Sequence, residues 1–330
     1  MTEFPFSIRK KVFEFPNSCS DNPDVSIVVL TYNQENYIQQ CIEGILNQKT
    51  EYTIEIVIGE DASTDQTRLI CEELAKKYPA TIRLLLHNTE NKVQDSFGNP
   101  TGKFNLLYTI SQCRGKYIAI CEGDDYWTNE LKIQKQIDFL EQNNDFVAVF
   151  TDYDKYYQES GVLKKNVNSS LNSISNKVIS NKAFFSKDIR LLRTLTSVYR
   201  ADVLKKFNFI YLQAAGDTQW IFFALQQGKI MYFHESTGVY RIQQESTSKS
   251  SSLEKKQRFL ENYAQLLKII KAKYPLGWKD RRYIRKTIWI AEMRRKNMTG
   301  DKLNAFIRLF YLISYGFITP TVFKNYRITN

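Results

Sequence analysis

The sequence is nearly without histidine: His87 and His234 are the only two in 330 residues. His87 ends an apolar run and His234 lies inside a strand-like one, so both read as structural. A histidine-based triad has little material here, and no GxSxG turn is present to carry a nucleophile. The five cysteines, Cys19, Cys41, Cys71, Cys113 and Cys121, are scattered with no CxxC pair. That spacing argues against zinc, and nothing in it demands an oxidising compartment. No GxGxxG follows the first apolar run, and no GxxxxGK[ST] occurs, which excludes the common phosphate-cradling loops. The start, "MTEFPFSIRKKVFEFPNSC", shows no secretory leader. No uncharged apolar run reaches the length of about 18 residues that a membrane span needs. The nearest approach, "NAFIRLFYLISYGFITP", is interrupted by Arg308.

What is present is ample hydrophobic material, 43% of residues, and an uneven charge. The net formal charge is +11, but residues 251–330 hold 18 basic and 5 acidic residues, +13, which leaves −2 for the rest. Such asymmetry points to a tail that faces an anionic partner, nucleic acid or membrane.

The patterning alternates. "VSIVVL" (25–30), "IEIVIG" (54–59), "TIRLLL" (81–86), "KYIAIC" (116–121) and "FVAVFT" (146–151) read as strands, the first buried on both faces. Helical periods lie between them. Residues 88–103 and 152–183 read as loops, "AAGDTQWIFFALQQGK" as a turn into a helix, and "IMYFHESTGVYRI" as two short strands. From Leu253 onward the pattern is helical, with one stripe from Phe259 to Ile270 and another from Leu303 to Phe317. Strand and helix in alternation predict a doubly wound α/β layer with a mostly parallel sheet and a C-terminal helical extension. Ligands of such sheets sit at the carboxyl ends of the strands.

Polar and acidic residues fall at those ends. Thr31 and Asn33 close the first strand, Asp61 follows the second, and Glu122, Asp124 and Asp125 crowd "CEGDDYW" after the fourth. Each could cap a helix or face water. Together, and without a phosphate loop, they suit a hard cation, Mn²⁺ or Mg²⁺, that relieves carboxylate repulsion and holds a diphosphate.

Three segments in order, "VSIVVLTYNQENYIQQCIEGILNQ", "IVIGEDASTDQT" and "GKYIAICEGDDYW", resemble family-two glycosyltransferases of the Rossmann-like GT-A fold, above all bacterial enzymes that build surface polysaccharides. The likeness covers about residues 24–245. It implies an N-terminal tail (1–23), a GT-A domain (24–250) and a basic helical region (251–330). It further implies an inverting transfer from a nucleotide-sugar, a UDP-sugar by family frequency, to a glycan or lipid-linked acceptor. Thr31, Tyr32, Asn33 and Glu35 are then expected at the nucleoside pocket, and Asp61 at the base or ribose. Asp124 belongs at the ribose or metal and Asp125 on the metal. Asp217 of "AAGDTQWIFF" matches the family's catalytic base, against a helix-cap alternative. Trp127 and Trp220 flank the site, as sugar platforms on the acceptor side or as core.

The sequence departs from the family pattern in two places. "YRIQQES" puts Gln243 where many members carry histidine, while Arg241 stays available to a diphosphate. "GKFN" replaces a small, arginine-containing run, with Lys103 as a substitute donor contact. A sugar nucleotidyltransferase, a phospho-accepting module and an inactive, membrane-docked GT-A scaffold are the competing readings. The basic tail is expected to bind an anionic membrane surface on the cytoplasmic side as a peripheral protein, rather than nucleic acid.

Overall fold

The structure is a computed structural model that describes residues 4–95, 98–168, 176–180, 184, 192–214, 216–243 and 253–298. The described residues fall into two compact units. The first draws on residues 1–180, 190–209 and 216–243, and the second on 181–189, 210–215 and 244–330.

The first unit is built on one mixed sheet. Its strands in chain order are β1 (Phe13–Glu14), β2 (Val25–Thr31), β3 (Ile54–Glu60), β4 (Ile82–Leu86), β7 (Tyr117–Glu122), β8 (Tyr126–Trp127), β9 (Phe146–Tyr157), β10 (Val162–Lys164), β11 (Lys177–Ile179), β12 (Val198–Arg200) and β13 (Lys229–Ile242). The short strands β5 (Val93–Gln94) and β6 (Pro100–Thr101) pair separately. Across the main sheet the order is β1-β4-β3-β2-β7-β12-β9-β13-β11. β2, β3, β4 and β7 run parallel, as their uninterrupted β-branched runs predict, while β12 is antiparallel to both β7 and β9. Helices α1 (Ile38–Leu46), α2 (Thr67–Lys77), α3 (Lys103–Gln112) and α4 (Lys132–Gln142) cover the faces. α1 shows why: Ile38, Cys41, Ile42 and Ile45 fall on one stripe and are all buried.

The chain winds β2, β3, β4 in one direction, then returns across β2 to place β7 on its other side. The strand order therefore reverses at β2, and the carboxyl ends of β2, β3 and β7 come together there. The register makes this concrete, because Thr31 pairs with Glu60 and Leu30 with Glu122.

Two elements differ from the sequence expectation. β9 continues to Tyr157 through polar residues, because β13 on one side and β10 on the other take its hydrogen bonds. Residues 229–242 form one long strand rather than two, with register shifts between Phe233 and Ser236 and again before Val239. Bulges of this kind absorb the polar "HEST" stretch without ending the strand. The stretch read as a tail contributes edge strand β1, which Glu14 ties to Arg83 at 2.8 Å.

Beyond β12 follow the short helix α5 (Ala201–Leu204) and α6 (Gly216–Gln227). The second unit contains α7 (Leu253–Lys273) and α8 (Trp278–Met298). Leu266, Leu267 and Ile270 of α7 and Ile284 and Ala291 of α8 are buried, and Lys268 pairs with Glu292 at 2.9 Å. Phe259 and Trp278 stay exposed. The stripe from Leu303 to Phe317, the run "NAFIRLFYLISYGFITP" and the serine-rich stretch after Gln243 lie outside the described residues. Among the described residues, no helix is long and apolar enough to cross a membrane.

Candidate active site

The acidic turn is shaped by a glycine. A side chain on Gly123 would meet Gln34 Oε1 at 2.5 Å and Thr31 Oγ1 at 2.9 Å, so only glycine lets the turn close on the end of β2. Its N–H donates to the Leu30 carbonyl at 2.9 Å. Thr31 Oγ1 and Gln34 Oε1 are themselves buried without hydrogen-bond partners. Thr31, 2% exposed, thus sits against the acidic turn.

The three carboxyls differ in their surroundings. Asp125 is 2% exposed and accepts the main-chain N–H of Arg241 at 2.8 Å. Burial, then its neighbours Asp124 and Glu122, push it well above the usual carboxylate range. Asp124 is also raised, by burial, with Arg241 opposing. Glu122 is pushed up to about 7 by burial, although the Thr194 hydroxyl donates to its Oε1. Its Oε2 is sealed from solvent and has no partner. Gln243, at the place of the family's histidine, does reach the turn: Nε2 donates to Asp124 Oδ2 at 3.3 Å.

Arg241 holds this turn rather than reaching past it. Its Nε donates to the Asp124 carbonyl at 2.8 Å, Nη1 to Gln158 Oε1 at 2.8 Å and Nη2 to Gln40 Oε1 at 2.6 Å. The rings of Tyr37, Tyr126 and Tyr156 surround it, the closest with its centroid at 4.7 Å. With all three nitrogens engaged, the expected diphosphate contact gives way to a positioning role.

At the end of β3, Asp61 is 6% exposed and pushed up to about 6 by burial, against the pull of Lys92 at 3.7 Å. Lys92 Nζ lies 3.8 Å from the ring centroid of Tyr32, whose side chain is otherwise exposed. Asp61 and Tyr32 are thus brought to one place by a lysine. Asn33 and Glu35 do something different. Asn33, at φ 51°, accepts the N–H of Thr64 at 2.9 Å, and Glu35 accepts that of Gln66 at 2.8 Å. Both join the loop after β2 to the loop after β3, which shapes the rim.

Asp217 lies in the first turn of α6, half-buried, and accepts the N–H of Thr218 at 2.7 Å. Its charge acts on Glu122 and on Arg193. Trp127 is a core residue. It is 3% exposed, its indole N–H donates to the Leu195 carbonyl at 2.7 Å, and Lys132 Nζ covers its ring at 4.3 Å. A ring so enclosed has no face to give a sugar, so that expectation fails. Trp220 is equally buried, against Phe207, and its N–H is unpartnered. Lys103 opens α3 with Nζ 5.8 Å from the Phe209 ring centroid and Asp95 as its charged neighbour; among the described residues no hydrogen bond or ion pair joins it to the acidic turn. Its ammonium is lowered by burial.

Sequence reasoning missed Lys92, Arg193, Thr194 and Gln40. Lys92, Arg193 and Thr194 sit in no motif, Gln40 lies in the first segment on what reads as a helix, and each reaches the site through a chain crossing that spacing does not reveal. Among the described residues, no three side chains of the histidine, cysteine or carboxylate type form a ready-made metal cage. A pair of carboxylates completed by substrate phosphates is nonetheless the usual setting for Mg²⁺.

The profile of glycosyl transferase family 2 matches residues 26–205. The chain belongs to glycosyl transferase family 2. Among curated relatives, the putative glycosyltransferase EpsE of Bacillus subtilis is 31% identical over 132 residues, 40% of this chain and 44% of EpsE. The Escherichia coli protein WfaP, named a UDP-Glc:α-D-GlcNAc-diphosphoundecaprenol β-1,3-glucosyltransferase, is 33% identical over 146 residues, 44% of this chain and 51% of WfaP. The chain spans about half the length of these relatives or less. Its fold is that of GT-A glycosyltransferases. Staphylococcus aureus TarS, solved with UDP-GlcNAc, superposes with a TM-score of 0.59 at 18% identity, over 83% of this chain and 72% of that one. The Pyrobaculum calidifontis mannosyltransferase PcManGT, solved with GDP-Man and Mn²⁺, gives 0.59 at 13% identity, over 95% and 86%.

Proposed function

We propose that this family-two protein is an inverting glycosyltransferase that moves a sugar from a nucleotide-sugar, a UDP-sugar first among them, to a glycan or lipid-linked acceptor of a bacterial surface polysaccharide. The observation that carries this reading is the grouping at the strand-order reversal. Asp61 with Tyr32 and the buried turn of Asp124 and Asp125 follow the carboxyl ends of adjacent parallel strands, and a separate acid, Asp217, opens α6 with its charge acting on Glu122. The names of WfaP and TarS support a UDP-linked donor, and that of WfaP a lipid-linked acceptor.

In this reading Tyr32 and Asp61 receive the nucleoside, with Thr31 below them. The residues fit a hard cation: two carboxylates too crowded to ionise alone, beside a sealed, unpartnered Glu122 oxygen. Asp124 and Asp125 would hold Mn²⁺ or Mg²⁺, which supplies positive charge to a diphosphate leaving group. Asp217 takes the proton of the acceptor hydroxyl. The freed oxygen bonds to the anomeric carbon as the bond from that carbon to the diphosphate oxygen breaks, and a single displacement inverts the centre. Arg241 and Gln243 keep the acidic turn in register.

The basic second unit docks on an anionic cytoplasmic membrane face, where a lipid-linked acceptor is presented. Its charge and the exposed Phe259 and Trp278 support this. Vesicle flotation checks it: binding to anionic vesicles at low salt, release at high salt, and none to neutral ones. Equal binding to both kinds of vesicle contradicts it. The reaction itself is checked by incubating the protein with labelled UDP-, GDP- and dTDP-sugars, Mn²⁺ and a bacterial lipid extract. Consumption of a UDP-sugar with label in the lipid fraction is expected. No consumption of any nucleotide-sugar contradicts the reading.

A further inference from the structure

Arg193 is a cation that the proposed reaction leaves unused. It precedes Thr194, whose hydroxyl holds Glu122, and its charge interacts with that of Asp217. Its guanidinium lies 4.5 Å from the ring centroid of Tyr240 and 5.8 Å from that of Tyr153. One hydrogen bond is made, from Nε to the Tyr153 hydroxyl at 3.4 Å. Neither Nη nitrogen has an acceptor, and no carboxylate pairs with it, among the described residues.

Other buried or half-buried arginines of the same unit are saturated. Arg83 is held by Glu14, Glu55 and the Gln112 carbonyl. Arg200 is held by the carbonyls of Phe146, Leu140 and Asn143, and Arg241 as described above. A half-buried guanidinium loses hydration, and tyrosine faces return only part of it. Burial pulls its pKa down, but Tyr153, Tyr240 and Asp217 more than offset this and keep it charged. What remains is a planar fork with two free nitrogens, oriented by two rings, one residue before the threonine that holds Glu122. That fork matches the paired oxygens of a phosphate.

We propose that Arg193 is a substrate-binding residue that takes a phosphate group, from the donor diphosphate or from the phosphate linkage of the acceptor. This rests on the glycosyl-transfer reading of the site. The rings of Tyr153 and Tyr240 hold the fork in place for the phosphate.

Calorimetric titration of wild type and Arg193→Gln in Mn²⁺ tests it in two arms. UDP against uridine reads the donor side, and inorganic pyrophosphate added to UDP-saturated protein reads the acceptor side. Arg193→Gln is expected to weaken one of these phosphate ligands about tenfold or more, with uridine unchanged. The arm affected names the source. Far-UV circular dichroism confirms the fold. If the glutamine variant does not fold, Arg193→Lys, which keeps charge but loses the fork, replaces it and is expected to bind more weakly than wild type. A folded variant that binds UDP and pyrophosphate as wild type does overturns the role of Arg193 alone. Wild type that binds neither UDP nor uridine overturns the glycosyl-transfer reading and this inference with it.

Discussion

The main-chain N–H of Arg241 donates to Oδ1 of Asp125 at 2.8 Å, across 116 residues of sequence. The same residue's Nε caps the Asp124 carbonyl. The long strand β13 therefore ends by gripping the acidic turn that follows β7, and the register shifts along β13 precede that grip. Loss of the Arg241 side chain should loosen the turn without removing a carboxylate.

The two buried tryptophans should respond differently to the same change. Trp127→Phe leaves the Leu195 carbonyl without its 2.7 Å donor, whereas the Trp220 N–H has no partner to lose. Denaturant unfolding should show a loss of about 1–3 kcal/mol for Trp127→Phe and a smaller one for Trp220→Phe. Equal losses would mean that the Leu195 bond contributes nothing.

His87 carries a pH signature. Burial lowers it to about 3, and both ring nitrogens lack partners among rings of Phe104 and Tyr108. The unfolded chain takes up a proton below about pH 6.5 that the folded state refuses until about 3, so His87 lowers stability as pH falls through that window. At pH 4.5 the penalty is about 2–3 kcal/mol. His87→Leu should therefore be more stable than wild type at pH 4.5, with the gain shrinking towards pH 7.5. A gain independent of pH would remove the titration from the explanation.

Much of the fold was legible because its signals are local. Five buried strands announced themselves as apolar β-branched runs, and α1 by the period of Ile38, Cys41 and Ile45, to which the structure adds Ile42. The acidic turn was legible too, since Gly123 sits between charges. What escaped was long-range. Lys92 reaches Asp61 from a loop with no motif, and Thr194 reaches Glu122 across 72 residues. Of the two readings of Trp127, packing supports core, and Arg241 turns its guanidinium on the acidic turn, because composition cannot tell an aromatic or cationic wall from a core contact.

Asp217→Asn keeps the size of the group and its place at the start of α6 but cannot take the acceptor proton. Transfer should fall by a factor of about 10² or more, with donor affinity nearly kept. Steady-state turnover and donor titration on the same preparation separate the two effects. Near-normal turnover would remove Asp217 from the chemistry.

The most direct measurement is the melting temperature of wild type and Asp125→Ala with a UDP-sugar, in Mn²⁺ and in EDTA. A ligand at about a hundredfold over its Kd stabilises the folded state by about 2.7 kcal/mol, several degrees in a chain of this size. The expected result is a rise for wild type in Mn²⁺ only, and none for Asp125→Ala, each read against that protein's own ligand-free melting point because the substitution also leaves the Arg241 N–H without its acceptor. An equal rise in EDTA, or an equal rise for Asp125→Ala in Mn²⁺, would contradict the cation-held diphosphate at the acidic turn.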